Sequence, residues 1–400
     1  MDYYKESLKQ HEQRKGKIAI SLKVPLKTRD DLSLAYTPGV AEPCREIAKN
    51  KENAYKYTFK GNTVAVISDG SSVLGLGNIG GEAALPVMEG KAALFKEFAD
   101  IDAFPICLAT QDTQKTIETI KNIAPTFGGI NLEDFKAPEC FAVETALQDL
   151  GIPVMHDDQH GTAVVVLAGL INALKVVKKS FSDVKIVFSG AGAAGTAILK
   201  LLISYGAKGE NILTCDTKGI IYQKREDIAN SVKKELAQLT NPKEIKGSLA
   251  DALKHADVFI GVSRKDLVTT EMIKSMNKDA VIFAMANPAP EIMPDIAKKA
   301  GAKIVATGRS DFPNQVNNAL AFPGLFRGAL DCRAARITEK MKIAAAESLA
   351  RMIKKPTTEE IIPSILDRKV VGVVAKAVMD AWEKENKQTK VILDYEKQRR

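Results

Sequence analysis

Polar and apolar positions change their period several times along this chain, and each change marks an element. From Asp2 to Lys17 charged and polar side chains dominate, which predicts an exposed helix or a docking arm. Asn62 to Ser68 is a β-branched run bounded by Gly61 and Asp69-Gly70, the pattern of a buried strand. Ile101 to Leu108, Phe127 to Phe135 and Ile152 to Met155 repeat it. Between them the spacing predicts helices from about Pro86 to Phe98, over Asp112 to Ile123, and from Pro138 onward. Ala163 to Val177 is apolar enough for a buried helix. Strand and helix then alternate, with strands at Val184 to Ser189, Asn211 to Cys215, Val258 to Val262, Ala280 to Ala286 and Lys303 to Thr307. From Leu325 onward the pattern is helical, with amphipathic stretches over Met341 to Ile353 and Val370 to Trp382.

This order predicts the α/β class. An N-terminal α/β domain takes residues 1–160, followed at 161–400 by a Rossmann-type doubly wound dinucleotide-binding domain with C-terminal helices. The second expectation rests on glycines. Gly190-Ala191-Gly192-Ala193-Ala194-Gly195 follows a strand at once and opens an apolar helix to about Tyr205. Gly190 permits the tight turn, Gly192 lets backbone approach a pyrophosphate, and Gly195 lets helix pack on strand. The helix N-terminus at Ala193 and Ala194 faces the negative charge. The next strand ends in Asp216, placed to accept hydrogen bonds from an adenosine ribose, which favours NAD over NADP. A second run, Gly75 to Gly81, also fits G-x-G-x-x-G, but Ser71 to Leu74 separate it from the preceding turn, so it reads as a loop of close backbone approach.

Candidate chemistry gathers at strand ends. His156-Asp157-Asp158-Gln159-His160-Gly161-Thr162 lies between a strand and the long apolar helix and has three readings: a helix cap, a zinc site using both histidines, or a hard divalent cation bound through carboxylates. Glu133 and Asp134 would join Asp157 and Asp158 if their strands end side by side, and such a cluster calls for a cation. Lys91, between small and apolar neighbours, either snorkels or is a base whose pKa desolvation lowers. Tyr36 lies on a turn before Pro38-Gly39, structural or, near a cleft, a general acid. Asn287 stands at a strand end, and Asn317 and Asn318 close a loop dense in amides beside Ala319 to Phe322.

Composition excludes several classes. With 45% hydrophobic and 26% charged residues among 400, the chain is neither disordered nor fibrous. Its net charge of +8 is dispersed, without the interleaved aromatics of a nucleic-acid surface, so no nucleic-acid partner is expected. Five cysteines without a C-x-x-C pair suit a reducing compartment. The charged N-terminus has no signal-like apolar region and Ala163 to Val177 is short for a bilayer, so a cytoplasmic protein without membrane contact is expected.

Taken together, Tyr36-Thr37-Pro38-Gly39-Val40, Gly90-Lys91, Glu133-Asp134-Phe135, His156 to Thr162, the dinucleotide fingerprint and Pro313-Asn314-Gln315-Val316-Asn317-Asn318 resemble a malic enzyme of the short bacterial type. The resemblance runs from about Ala35 to Arg336 in the family's order. It implies oxidation of L-malate at C2 with NAD, or NADP as the alternative, then loss of CO₂ to give pyruvate. It implies Mg²⁺ or Mn²⁺ on Glu133, Asp134 and Asp158, Lys91 as base tuned by Asp157, and Tyr36 as the acid that protonates C3 of enolpyruvate. Asn287 and Asn318 would face substrate and nicotinamide, with Asn317 adjacent. A homodimer is implied as well. One departure is the missing arginine before the first glycine run, where Ser71-Ser72-Val73 stands; Arg45 is the candidate to replace it. The rival readings are a malolactic enzyme or oxaloacetate decarboxylase with bound NAD, and a non-catalytic dinucleotide-binding regulator.

Overall fold

The computed structural model describes residues 2–73, 75–228 and 231–398, with side chains as far as residue 387. The N-terminal arm is built of short helices: α1 (Tyr3–Arg14), α2 (Arg29–Ala35), α3 (Ala41–Lys49) and α4 (Ala54–Tyr57). Local capping forms them: Asp2 accepts the backbone N–H groups of Tyr4 and Lys5, and Thr28 makes a reciprocal box with Asp31. None of the four buries a residue, and Ile20, Leu22, Val24, Leu34 and Tyr36 on this arm are exposed.

Four parallel strands follow: β1 (Thr63–Ser68), β2 (Asp102–Cys107), β3 (Gly129–Leu132) and β4 (Val154–His156), in the order β2-β1-β3-β4. Helices α5 (Gly81–Ala99), α6 (Thr113–Ile123) and α7 (Glu139–Ala146) cross between them. Helix α5 starts earlier than expected and carries Pro86 inside it. Its start is set instead by Gly80 and Gly81: Gly80 has φ 79°, and a Cβ on Gly81 would stand 2.6 Å from the Leu108 carbonyl at the end of β2.

Helix α8 (Asp157–Val177) begins directly at the end of β4, so residue 160 lies within its first turns. It is longer than the apolar run suggested. By length and composition alone it could cross a membrane, yet it is mostly buried inside the protein, where its apolar faces form core. Asn172, buried within it, donates to the carbonyls of Ala350 and Ile361 at 2.9 and 3.0 Å and so ties the C-terminal segment to α8.

The second sheet contains β5 (Ile186–Ser189), β6 (Ile212–Asp216), β7 (Gly219–Ile220), β8 (Val258–Gly261), β9 (Val281–Ala284) and β10 (Ile304–Thr307) in the order β10-β9-β8-β5-β6-β7. Only β7 runs antiparallel, against β6. Helices α9 (Ala193–Tyr205), α10 (Ser231–Leu239), α11 (Leu249–Leu253), α12 (Thr270–Lys274) and α13 (Pro294–Lys299) connect the strands. The strand order turns back between β5 and β8, and that reversal opens the crevice expected of a doubly wound sheet. Helices α14 (Phe322–Asp331), α15 (Glu339–Met352) and α16 (Lys369–Gln398) complete the chain. Helix α14 returns to the first sheet's helices: Phe322 and Phe326 meet Phe95 of α5 edge-on, with ring centroids at 4.7 and 5.4 Å. One apolar cluster thus joins α5, α8, α9 and the C-terminal helices.

Phe95→Ala removes the ring that both α14 aromatics share. We expect a loss of about 3–5 kcal/mol in unfolding free energy, measured by urea denaturation.

Candidate active site

Parallel pairing of β3 with β4 sets Leu132 opposite His156, so the residues that follow the two strands meet. Glu133 and Asp134 come from one strand, Asp157 and Asp158 from the other. Asp134 has a left-handed backbone, φ 58°, and its N–H donates to Asp158 Oδ2 at 2.9 Å. Lys91 enters from the buried face of α5. Its Nζ lies 2.8 Å from Glu133 Oε1 and 2.6 Å from Asp157 Oδ2, and 4.1 Å from the centroid of the Phe322 ring. Asp157 Oδ2 also accepts Asn318 Nδ2 at 2.6 Å, and Glu133 Oε2 accepts Asn131 Nδ2 at 2.8 Å. Glycine is needed at 161, where a Cβ would stand 1.8 Å from Asp157 Oδ1.

Burial by itself would lower the Lys91 pKa, the direction expected from its apolar neighbours. The carboxylates of Asp157, Glu133 and Asp158 outweigh burial and hold the ammonium protonated. Burial pushes the carboxyls of Glu133 and Asp157 up to about 7 against the pull of Lys91. The two directions agree on one point: a single ammonium faces more buried carboxylate than it can neutralise.

Two readings of the His156 stretch fail here. No side chain caps α8, so neither aspartate is the cap; both stand in its first turn, where negative charge meets the helix dipole. The histidines do not converge on a zinc site. Burial holds His156 neutral, its pKa down at about 4, with Nε2 3.7 Å from Asp158 Oδ2, while His160 turns to Glu144 and Lys342 at 3.0 and 3.1 Å.

Glu144 is the residue that sequence reasoning missed. From α7 its carboxylate accepts the His156 N–H at 2.9 Å, Gln159 Nε2 at 3.1 Å and His160 Nε2 at 3.0 Å. Burial would raise its pKa, but the two histidines outweigh burial and bring it down to about 2. It therefore clamps both ends of the turn from which Asp157 and Asp158 project. A carboxylate in the mostly apolar run Cys140 to Leu147 was its only signal.

A cleft of about 1210 Å³ runs from this cluster to the second sheet, and Lys91, Asp158, Gly192, Ala194 and Asn287 are among its lining residues. Gly190 and Gly195 answer local backbone demands of the turn. Gly190 has φ 116°, a Cβ on Gly195 would lie 2.0 Å from the Gly190 carbonyl oxygen, and a Cβ on Gly192 would meet nothing within 4 Å. The Gly75 loop closes on the other side, where a Cβ would stand 3.0 Å from the Asn287 carbonyl oxygen. Ala193, Asn317 and Asn318 also line the cleft. Asn317 accepts the Ala319 N–H at 2.8 Å, and Asn318 is tied to Asp157. Asp216 ends β6 as expected, but Arg225 and Lys233 occupy its carboxylate.

Two candidates lie apart from these residues. Tyr36 is 68% exposed on the N-terminal arm, and Arg45 is exposed and paired with Glu42 at 2.7 Å; neither lines the cleft. Nothing in the spacing of a loop tyrosine reports which cleft it serves. The cations that do line the cleft beside Lys91 are Arg264 and Lys265.

Residues 15–148 match the family description "Malic enzyme, N-terminal domain", and residues 159–382 match "Malic enzyme, NAD binding domain". The chain belongs to the malic enzyme family. It is 56% identical to the bifunctional malic/malolactic enzyme of Bacillus subtilis over 384 residues, 95% of this chain and 93% of that protein. To the NADP-dependent malic enzyme of Halomonas elongata it is 52% identical over 349 residues, 87% of this chain and 82% of that one. A crystal structure of the NAD-dependent malic enzyme of Thermotoga maritima matches with a TM-score of 0.91 at 52% identity, covering 93% of this chain and 98% of that one. Malic enzyme membership makes the chain an oxidoreductase with a Rossmann-type NAD-binding domain.

Glu133, Asp134 and Asp158 fit a hard divalent cation in donor type, since they supply oxygens only, and burial raises the carboxyls of Glu133 and Asp158, a cost of buried negative charge that a cation would offset. As they stand, no three His, Cys, Asp or Glu side chains among the described residues are poised to hold an ion. Glu133 is turned to Lys91 and Asn131, and Asp158 to the Asp134 N–H.

Holding a cation requires Glu133 to be ionised. With its carboxyl raised to about 7, the proton must leave first, so Mn²⁺ affinity should climb from pH 6 to pH 8 with proton release below pH 7. Calorimetry in buffers of different ionisation enthalpy measures both. Glu144→Gln, which loosens the Asp157–Asp158 turn without touching an ion, should weaken Mn²⁺ binding about 10- to 100-fold, read by paramagnetic resonance of free Mn²⁺.

Proposed function

We propose that this chain oxidises L-malate at C2 with a nicotinamide dinucleotide and releases pyruvate and CO₂. The observation that carries this reading is one cleft with a lysine–carboxylate cluster on one wall and an open glycine turn on the other. Lys91 takes the C2 hydroxyl proton as C2 gives its hydride to the nicotinamide. It can do so only when the carboxylate field that keeps it protonated is reduced. Asp157, fixed by Asn318, holds Nζ in place. Mg²⁺ or Mn²⁺, held by Glu133, Asp134 and Asp158, would supply Lewis acidity at the C2 oxygen for both oxidation and decarboxylation. Arg264 and Lys265 are the cations within reach of the second malate carboxylate.

Tyr36 protonates C3 of enolpyruvate in this scheme, and its distance from the cleft lining calls for a second copy. We infer a homodimer in which the arm, with its exposed Ile20, Leu22, Leu34 and Tyr36, packs against the partner and carries Tyr36 to the partner's cleft. A cytoplasmic location suits five free cysteines. The relative named malic/malolactic supports a second reading, in which pyruvate is reduced to lactate before release. Product analysis separates the two: accumulating reduced cofactor with pyruvate supports the first, and lactate without net reduction supports the second.

Lys91→Ala should lower kcat by roughly 10²- to 10⁴-fold, the usual contribution of a general base, with dinucleotide binding retained. Tyr36→Phe should also be impaired. Mixing and reassociating the two inactive variants should restore activity, because one cleft of the mixed dimer then has both groups intact; no recovery would place Tyr36 in its own chain's cleft or outside the mechanism.

A further inference from the structure

We propose that Glu291 is a positioning residue: its buried carboxylate fixes the two backbone turns at the nicotinamide end of the cleft and so sets where Arg264, Lys265 and Asn287 stand against malate. This rests on reading the cleft as a site for malate and a nicotinamide dinucleotide. In a doubly wound sheet the dinucleotide lies across the crevice where the strand order reverses. Here the glycine turn follows β5 on one side of that reversal, and the turns after β8 and β9 line the same cleft on the other. Arg264 and Lys265 follow β8, Asn287 follows β9, and all three line the cleft.

Glu291 joins these two turns. It belongs to the segment between β9 and α13 and is fully buried. Its Oε1 accepts the Ser263 N–H at 2.9 Å and its Oε2 the Ala286 N–H at 3.0 Å. One oxygen thus holds each turn, at the residue just before Arg264 and the residue just before Asn287. The Ser263 hydroxyl lies 3.5 Å from Oε1 and 2.9 Å from the Ser189 hydroxyl, which extends the contact to the end of β5. The sheet makes room for the carboxylate: a Cβ on Gly261, the last residue of β8, would stand 2.5 Å from the Glu291 Cδ carbon.

The chemistry of the contact selects an ionised carboxylate. Both turns present N–H donors, and a carboxylate accepts both; an amide or a protonated carboxyl turns a donor toward one of them. Burial raises the Glu291 pKa against the pull of these N–H groups, so the charge is a cost to the fold. Joining the turns does not by itself require that charge, because the main chain already joins them. The Val268 N–H donates to the Glu291 carbonyl at 3.0 Å, and the Asp266 N–H to the Pro290 carbonyl at 3.2 Å. What the carboxylate adds is a fixed spacing between the two residues that lead into Arg264 and Asn287.

The test uses Glu291→Gln, which keeps the shape and loses one of the two acceptors, and Gly261→Ala, which keeps the charge but displaces the carboxylate. In both variants kcat/KM for malate should fall about 100-fold, the scale for a displacement of about 1 Å, with KM for malate raised. ADP-ribose, which lacks the nicotinamide, should bind by calorimetry as it does to the parent, while NADH binds more weakly. A loss of folded protein would lower kcat with the number of active molecules, yet leave KM and the affinity of each folded site where they were. An unchanged KM for malate in Glu291→Gln, with only kcat or the melting temperature lowered, therefore overturns the proposal. Loss of ADP-ribose binding in both variants overturns it too, since Glu291 would then be a folding residue. If the parent binds NADH but does not oxidise malate, the catalytic reading fails. The gap between NADH and ADP-ribose affinities in Glu291→Gln then decides this proposal alone: a weakened NADH sustains it, and equal retention of both overturns it.

Discussion

A buried ammonium facing too many carboxylates is the constraint on which the rest of this protein depends. Lys91 stands between Glu133 and Asp157, with Asp158 close by, in a place from which water is largely excluded. Charges so buried are costly unless paired, and the pairing here is incomplete by design of the backbone: adjacent parallel strands end in two acidic residues each. A divalent cation bound there would complete the balance, and completing it would change what Lys91 can do. Cation affinity, proton affinity and catalysis would then be one electrostatic problem.

Such a cluster has to be held against its own repulsion, and the holding groups come from four directions. Asn318 arrives from the loop after β10, Asn131 from within β3, Phe322 from the C-terminal helices, and Glu144 from α7. Glu144 touches no reacting atom. By gathering the His156 N–H, Gln159 and His160 on one carboxylate it sets where α8 begins, and hence where Asp157 and Asp158 point. The packing of Phe95 against Phe322 and Phe326 makes the C-terminal helices part of the same support, because Phe322 lies under the ammonium.

The cofactor end applies the same physics with the opposite sign. At Lys91 negative charge is in excess, while at Asp216 three cations surround two carboxylates. One wall of the protein suits a divalent cation and the other an anionic dinucleotide. Neither preference follows from the net charge of +8, which is dispersed over the surface.

Much of this was legible in the chain itself. Residues 184–195 and 63–68 specify their strands and the glycine turn because burial on both faces and the need for φ > 0 at Gly190 leave few alternatives. The four acidic residues, Lys91 and the asparagines could be named for the same reason: their types and neighbours are local facts. What their side chains do was decided only by tertiary structure. Lys91 reads as a lysine whose pKa burial lowers until the carboxylates from two strands reverse the sign, and Asp216 reads as a ribose acceptor until Arg225 and Lys233 fill it. Glu144 and the long start of α5 were hidden likewise. Sequence carries periodicity and local backbone demands; the direction of a pKa shift and the occupancy of a hydrogen-bond acceptor depend on groups brought together through space, and the chain order of those groups does not announce them.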